Sequence, residues 1–113
     1  MVTAETAVVL PVLLFVLAGA VAAVVVVGAQ LRCVDAAREG ARAAARGESD
    51  ATVSSLVGRL APDGAVTAVT GDEEEVRVTV TVRVAPLGPL PVEITLSGAA
   101  VAVWEPNSAG DAG

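Results

Sequence analysis

From Thr6 to Ala29 the chain reads TAVVLPVLLFVLAGAVAAVVVVGA, and no charged side chain interrupts it between Glu5 and Arg32. A helix crosses the hydrocarbon core of a bilayer with about 20 apolar residues, so this run predicts a single membrane-spanning helix in contact with lipid. A cleaved secretory signal is the competing reading, and Ala18-Gly19-Ala20 has the small-residue pattern of a cleavage site. Signals confine their apolar region to about 7 to 15 residues behind a basic segment. Here the run continues past Ala20, and Met1 to Glu5 carry no base, which favours the span. Pro11 cannot donate to the carbonyl of Ala7, so the helix is expected to weaken or kink there.

Beyond Gln30 the sequence becomes LRCVDAAREGARAAARG, rich in helix formers, with no stronger breaker than Gly40 before Gly47. The spanning helix is therefore expected to leave the membrane as one rod covering residues 1–47. Arg38, Arg42 and Arg46 recur every fourth residue as a charged stripe, and Ala36, Gly40 and Ala44 form a parallel stripe of small residues. Small residues at that spacing admit the close approach of another helix; a solvated helix in which alanine only favours helicity is the plain alternative. Cys33 is the one cysteine. It has no internal disulfide partner and reads as an inert, membrane-proximal thiol, with an intermolecular disulfide as the other use.

The remainder, residues 48–105, predicts a small α+β domain. Ser49 or Asp50 caps a short helix in which Val53, Leu56, Val57 and Leu60 share one face, and Pro62-Asp63-Gly64 ends it. Val66 to Thr70 reads as a short strand and Gly71 to Glu74 as a loop. Val76 to Val84 alternates Val with Arg or Thr, the pattern of a strand with one buried face. After the stiff connection of Pro86, Gly88, Pro89 and Pro91, alternation resumes at Val92, Ile94 and Leu96 and extends or restarts across Gly98 to Trp104. Three or four antiparallel strands resting on the helices are expected. Residues 106–113 are small and polar and read as a disordered tail.

Composition narrows the function. The formal charge is −6, every cation is Arg, and acids outnumber bases beyond Arg32, so the clustered cations that nucleic acid requires are missing. With no His and no Tyr, an enzyme loses its commonest general base, and a Cys/His metal cluster is excluded. No cofactor is implied. The acidic run Asp72 to Glu75 lacks the alternation of ligands and spacers found in calcium loops and reads as a solvated hairpin tip.

Thr3-Ala4-Glu5-Thr6-Ala7-Val8-Val9-Leu10-Pro11, the apolar run after it, and Asp35-Ala36-Ala37-Arg38-Glu39-Gly40-Ala41-Arg42-Ala43-Ala44 together resemble the TadE-like family of minor pilins from the tight-adherence (Flp) type IV pilus system. The resemblance covers roughly residues 3 to 46. It implies a pilin-like subunit cut by a prepilin peptidase, held in the cytoplasmic membrane with its domain outside, and working with other pilin subunits and the pilus assembly machinery. Such precursors carry a short basic leader ending in Gly, which is expected upstream of Met1. Glu5 then falls at the fifth mature position, where it would pair with the free α-amino group of a neighbouring subunit. The positive-inside rule taken alone points the other way, because Arg32, Arg38, Arg42 and Arg46 flank the run on its C-terminal side. Asp35, Glu39 and Glu48 interleave with those arginines, and the basic leader would reverse the balance. A signal-anchored extracellular binding module, with the helix as a simple tether, is the rival of a different class.

Overall fold

The computed structural model describes residues 2–105, so the expected tail at 106–113 lies outside the described residues. Helix α1 runs unbroken from Val2 to Ala45, through Pro11. At 1.5 Å per residue its 44 residues make a rod of about 66 Å, which accounts for a molecule measuring 81 × 20 × 18 Å.

The rod stops at Gly47. Its φ of 89° is the left-handed conformation that glycine adopts without a Cβ penalty. The Glu48 N–H then donates to the Ala43 carbonyl at 3.2 Å and the Gly47 N–H to Ala44 at 3.0 Å, the paired bonds of a Schellman cap. Ser49 begins α2 (Asp50–Leu60) at once, its hydroxyl accepting the Thr52 N–H at 3.2 Å. The chain thereby reverses, and α2 packs back against α1.

Three strands follow: β1 (Val66–Gly71), β2 (Glu75–Val84) and β3 (Ile94–Val103), in the spatial order β1-β2-β3 with antiparallel pairing throughout. The alternation in β2 is realised as expected. Val76, Val78, Val80 and Val82 are buried, and Arg77 and Arg83 are exposed. Strand β3 is continuous across Gly98 and needs no restart, so the sheet has three strands.

The core is made almost wholly of Val and Ala. Val53 and Val57 of α2 and the β2 valines close on Cys33, Ala36, Ala37, Ala41 and Ala44 of α1. Each fully buried valine contributes about 1.5 to 3 kcal/mol relative to exposure, and the thin alanine face of α1 brings helix and sheet close together. Gly98 marks the closest approach: a Cβ there would lie 2.7 Å from the Val34 nitrogen and 2.8 Å from the Cys33 carbonyl carbon. Strand β3 thus crosses α1 almost backbone to backbone.

Candidate assembly surface

The two ends of α1 have opposite surroundings. From Ala29 to Ala45 one face is covered by the head, whereas most positions from Thr3 to Gly28 are exposed although nearly all are apolar. Phe15 is 81% exposed, and Leu14, Val16 and Val24 are similarly bare. The most apolar window of this helix has a mean hydropathy of 2.9 and none of it is buried. Length and composition make it the one helix, among the described residues, fit to cross a membrane. Such a surface is stable only against lipid or other apolar helices.

Glu5 is exposed in the first turn of α1, at the foot of this surface. There its carboxylate complements the positive end of the helix dipole. Pro11 stands nearly two turns further on, inside the apolar part.

Ala36, Gly40 and Ala44 are all buried, and what packs on them belongs to the same chain. A Cβ on Gly40 would lie 2.7 Å from Val57 Cγ2 and 3.1 Å from Val78 Cγ1. The small-residue stripe does receive a helix closely, and that helix is α2, with β2 beside it. The stripe is part of the head's core and is not open to a neighbouring copy.

Arg38 and Arg42 line the opposite, exposed side of α1, and Arg46 is exposed in the turn just past its end. Arg42 Nη1 lies 3.0 Å from Glu39 Oε1, with both side chains largely in solvent, a geometry worth only a few tenths of a kcal/mol. Arg32 does something the sequence did not reveal: its Nη2 donates to the Ala61 carbonyl at 3.2 Å, just beyond the end of α2. Gln30 likewise donates from Nε2 to the Ser97 carbonyl at 2.8 Å. These two polar residues tie the head to the rod at the level where the apolar run ends.

Cys33 is fully buried. Burial pushes its thiol above the usual value, and the nearby Arg32 guanidinium offsets part of that rise. The group is therefore a protonated core thiol, and an intermolecular disulfide would require the sheet to lift off α1. At the far end of the head, Asp72 Oδ1 accepts the N–H groups of Glu74 and Glu75, each at 2.8 Å. These bonds, Glu75 first, hold its carboxyl below the ordinary carboxylate range. Trp104 covers this hairpin and donates from Nε1 to the Asp72 carbonyl at 2.7 Å. The acidic run is thus a self-capped turn, and among the described residues no group of three or more His, Cys, Asp or Glu side chains is placed to hold a metal ion.

The sequence model of the TadE-like protein family matches residues 1–42. A curated relative, the apoptosis inhibitor Rv3655c of Mycobacterium tuberculosis, is 38% identical over 104 residues, covering 92% of this chain and 79% of its own. The chain belongs to the TadE-like family. Family membership associates it with a tight-adherence pilus system. No solved structure matches it. In this TadE-like protein the family match ends three residues before the end of α1. The shared signature is therefore the rod, from the exposed foot at Glu5 to the alanine face under the head. The similarity to the mycobacterial protein extends into the head as well.

Proposed function

We propose that this TadE-like protein is a minor pilin or pseudopilin, a structural or assembly component of a tight-adherence type IV pilus and not an enzyme. In this reading α1 anchors the precursor as a single pass in the cytoplasmic membrane, with the head outside. A prepilin peptidase removes a basic leader, and the bare part of α1 then exchanges lipid for the helices of other pilin subunits. The observation that carries the reading is the division of α1. The head covers the apolar face of the upper part and leaves every residue from Ala7 to Val21 below it bare, headed by an acid at Glu5.

That acid is the part a tether does not need. In a bundle of spanning helices, a carboxylate withdrawn from water without a partner costs several kcal/mol. The free α-amino group of a processed neighbour supplies the cation. Glu5 would thereby admit only cleaved subunits in the correct register. Replacing Glu5 with Ala is expected to leave membrane insertion and head folding intact while reducing incorporation into pili or pilus number, scored by fractionation and electron microscopy. Wild-type piliation by Glu5→Ala would return the protein to the reading of a tethered binding module.

A further inference from the structure

The head has a membrane-facing end, and its position is fixed by contacts. Gly98 rests on Cys33 and Val34, and Gln30 bonds the Ser97 carbonyl. The Glu105 N–H donates to the Ala45 carbonyl at 3.0 Å. Strand β3 therefore ascends alongside α1 in the same direction. From Gly98 back to Ile94 the strand descends by up to about 13 Å at 3.3 Å per residue. That equals about nine residues of helix and carries Ile94 toward the level of Val25, where a span of about 20 residues begun at Thr6 reaches the headgroups. Val84 pairs with Ile94, so residues 85–93, which join β2 to β3, leave the sheet at this same low end. Burial along α1 agrees: Ala22 and Val26, on the face of Ala29, are half-buried where the residues around them are exposed.

The sequence of this connection is APLGPLPVE, followed by Ile94. Leu90 is 55% exposed, and Val92 and Ile94 are also open to solvent. Pro86, Pro89 and Pro91 have no N–H to desolvate. Of the remaining amides, Gly88 donates to the Ala85 carbonyl at 3.2 Å and Val92 to the Leu90 carbonyl at 2.8 Å. The Leu87, Leu90 and Glu93 amides and most carbonyls of the connection have no such bond, so its backbone belongs at the hydrated headgroup level, from which the apolar side chains reach down. Glu93 is the one charge in the connection, and its Oε2 lies 4.0 Å from Arg83 Nη1, a pair of opposite charges suited to a zwitterionic headgroup layer.

We propose that residues 85–94 form a second membrane contact, dipping Leu90, Val92 and Ile94 into the acyl boundary beside α1 so that the head sits on the bilayer surface. The occupant of this apolar end is lipid. The contact fixes the tilt and rotation of the head relative to the membrane, which a lone spanning helix leaves free. It holds in whichever leaflet the head faces and rests only on the span, independently of the pilus reading.

The test is nitroxide labelling of the full chain in phosphatidylcholine vesicles at Leu90→Cys, with Leu14→Cys and Val103→Cys as references in the span and at the opposite end of the head. Buried Cys33 takes up no label, which an unsubstituted control checks. Relative accessibility to oxygen and to a water-soluble nickel chelate is then compared. The Leu90 label is expected to favour oxygen over nickel several-fold more than the Val103 label does, approaching the Leu14 label. A Leu90 label as accessible to nickel as Val103, with Leu14 protected, overturns the second contact while leaving the anchor. A Leu14 label open to nickel overturns the anchor and the contact together.

Discussion

Both the lower and the upper part of α1 carry small residues along the helix, Gly19 and Gly28 below and Ala36, Gly40 and Ala44 above, and their fates differ completely. A methyl added to Gly19 or Gly28 in the lower part would have nothing within 4 Å of it, whereas Gly40 in the upper part is already crowded by Val57 and Val78. A run of small residues therefore signals close packing without naming the partner. In the upper part the partner is supplied by the chain itself. In the lower part it must come from outside, as lipid or as another helix.

Glycine substitutions break this comparison most directly. Gly98→Ala should have the largest effect, because the new methyl meets the backbone of Cys33 and Val34, which cannot rotate away. A loss of about 1 to 3 kcal/mol is expected from such overpacking, measured by denaturant unfolding in detergent. Cys33, which reagents should not reach in the native protein, should become labelled by maleimide as β3 lifts. Unchanged stability and a protected thiol would contradict the close approach of strand and helix.

Gly40→Ala is expected to cost less. Its methyl strikes the Val57 side chain at 2.7 Å, but the better helix propensity of Ala returns about 0.5 to 1 kcal/mol. The same change at Gly19 or Gly28 meets open space and should leave head stability unaltered or slightly raised. A Gly19→Ala variant that assembles poorly yet folds normally would show directly that the lower part packs against other subunits.

The smallest effect is expected at the hairpin. The folded-state pKa of Asp72 is lowered by the Glu75 and Glu74 amides. Its contribution to stability is thus present above the unfolded value near 3.9 and disappears as pH falls through the lower folded value. The carboxylate is exposed, so the loss is slight. Asp72→Ala should flatten this acid dependence, followed through the fluorescence of Trp104, whose indole bonds the Asp72 carbonyl. Asp72→Asn cannot titrate and should flatten the acid dependence equally, but it keeps an acceptor and should lie between wild type and Asp72→Ala in stability at neutral pH.

Much of the head was legible because its signals are local. A cap at Ser49 or Asp50, Gly47 as a stop and the strict valine alternation of Val76 to Val84 each act within a few residues, and the structure had only to choose Ser49. Gly98 was visible as an irregularity in a strand, and a strand glycine signals a bulge or a close backbone approach. Only the crossing of β3 over α1 showed which. Arg32 and Gln30 carried no signal, because their acceptors are the carbonyls of Ala61 and Ser97, far along the chain. No periodicity records such a bond.

By itself, then, the sequence determined the long rod, its apolar length and charge-free interior, and the extents of the short helix and of β2 to within a residue or two, while the start of β3 at Ile94 and the number of strands waited for the structure. These follow from hydrophobic burial patterns and backbone stereochemistry, which depend on neighbours in the chain. The tertiary structure alone decided who occupies the Ala36, Gly40 and Ala44 stripe, what covers Cys33, and which end of the head lies toward the bare part of the rod. Each of these depends on which distant surface is brought within van der Waals distance. A helix of alanine and glycine is equally ready to receive a second copy or its own head, and here the tight reversal at Gly47 and Ser49 delivers the head first.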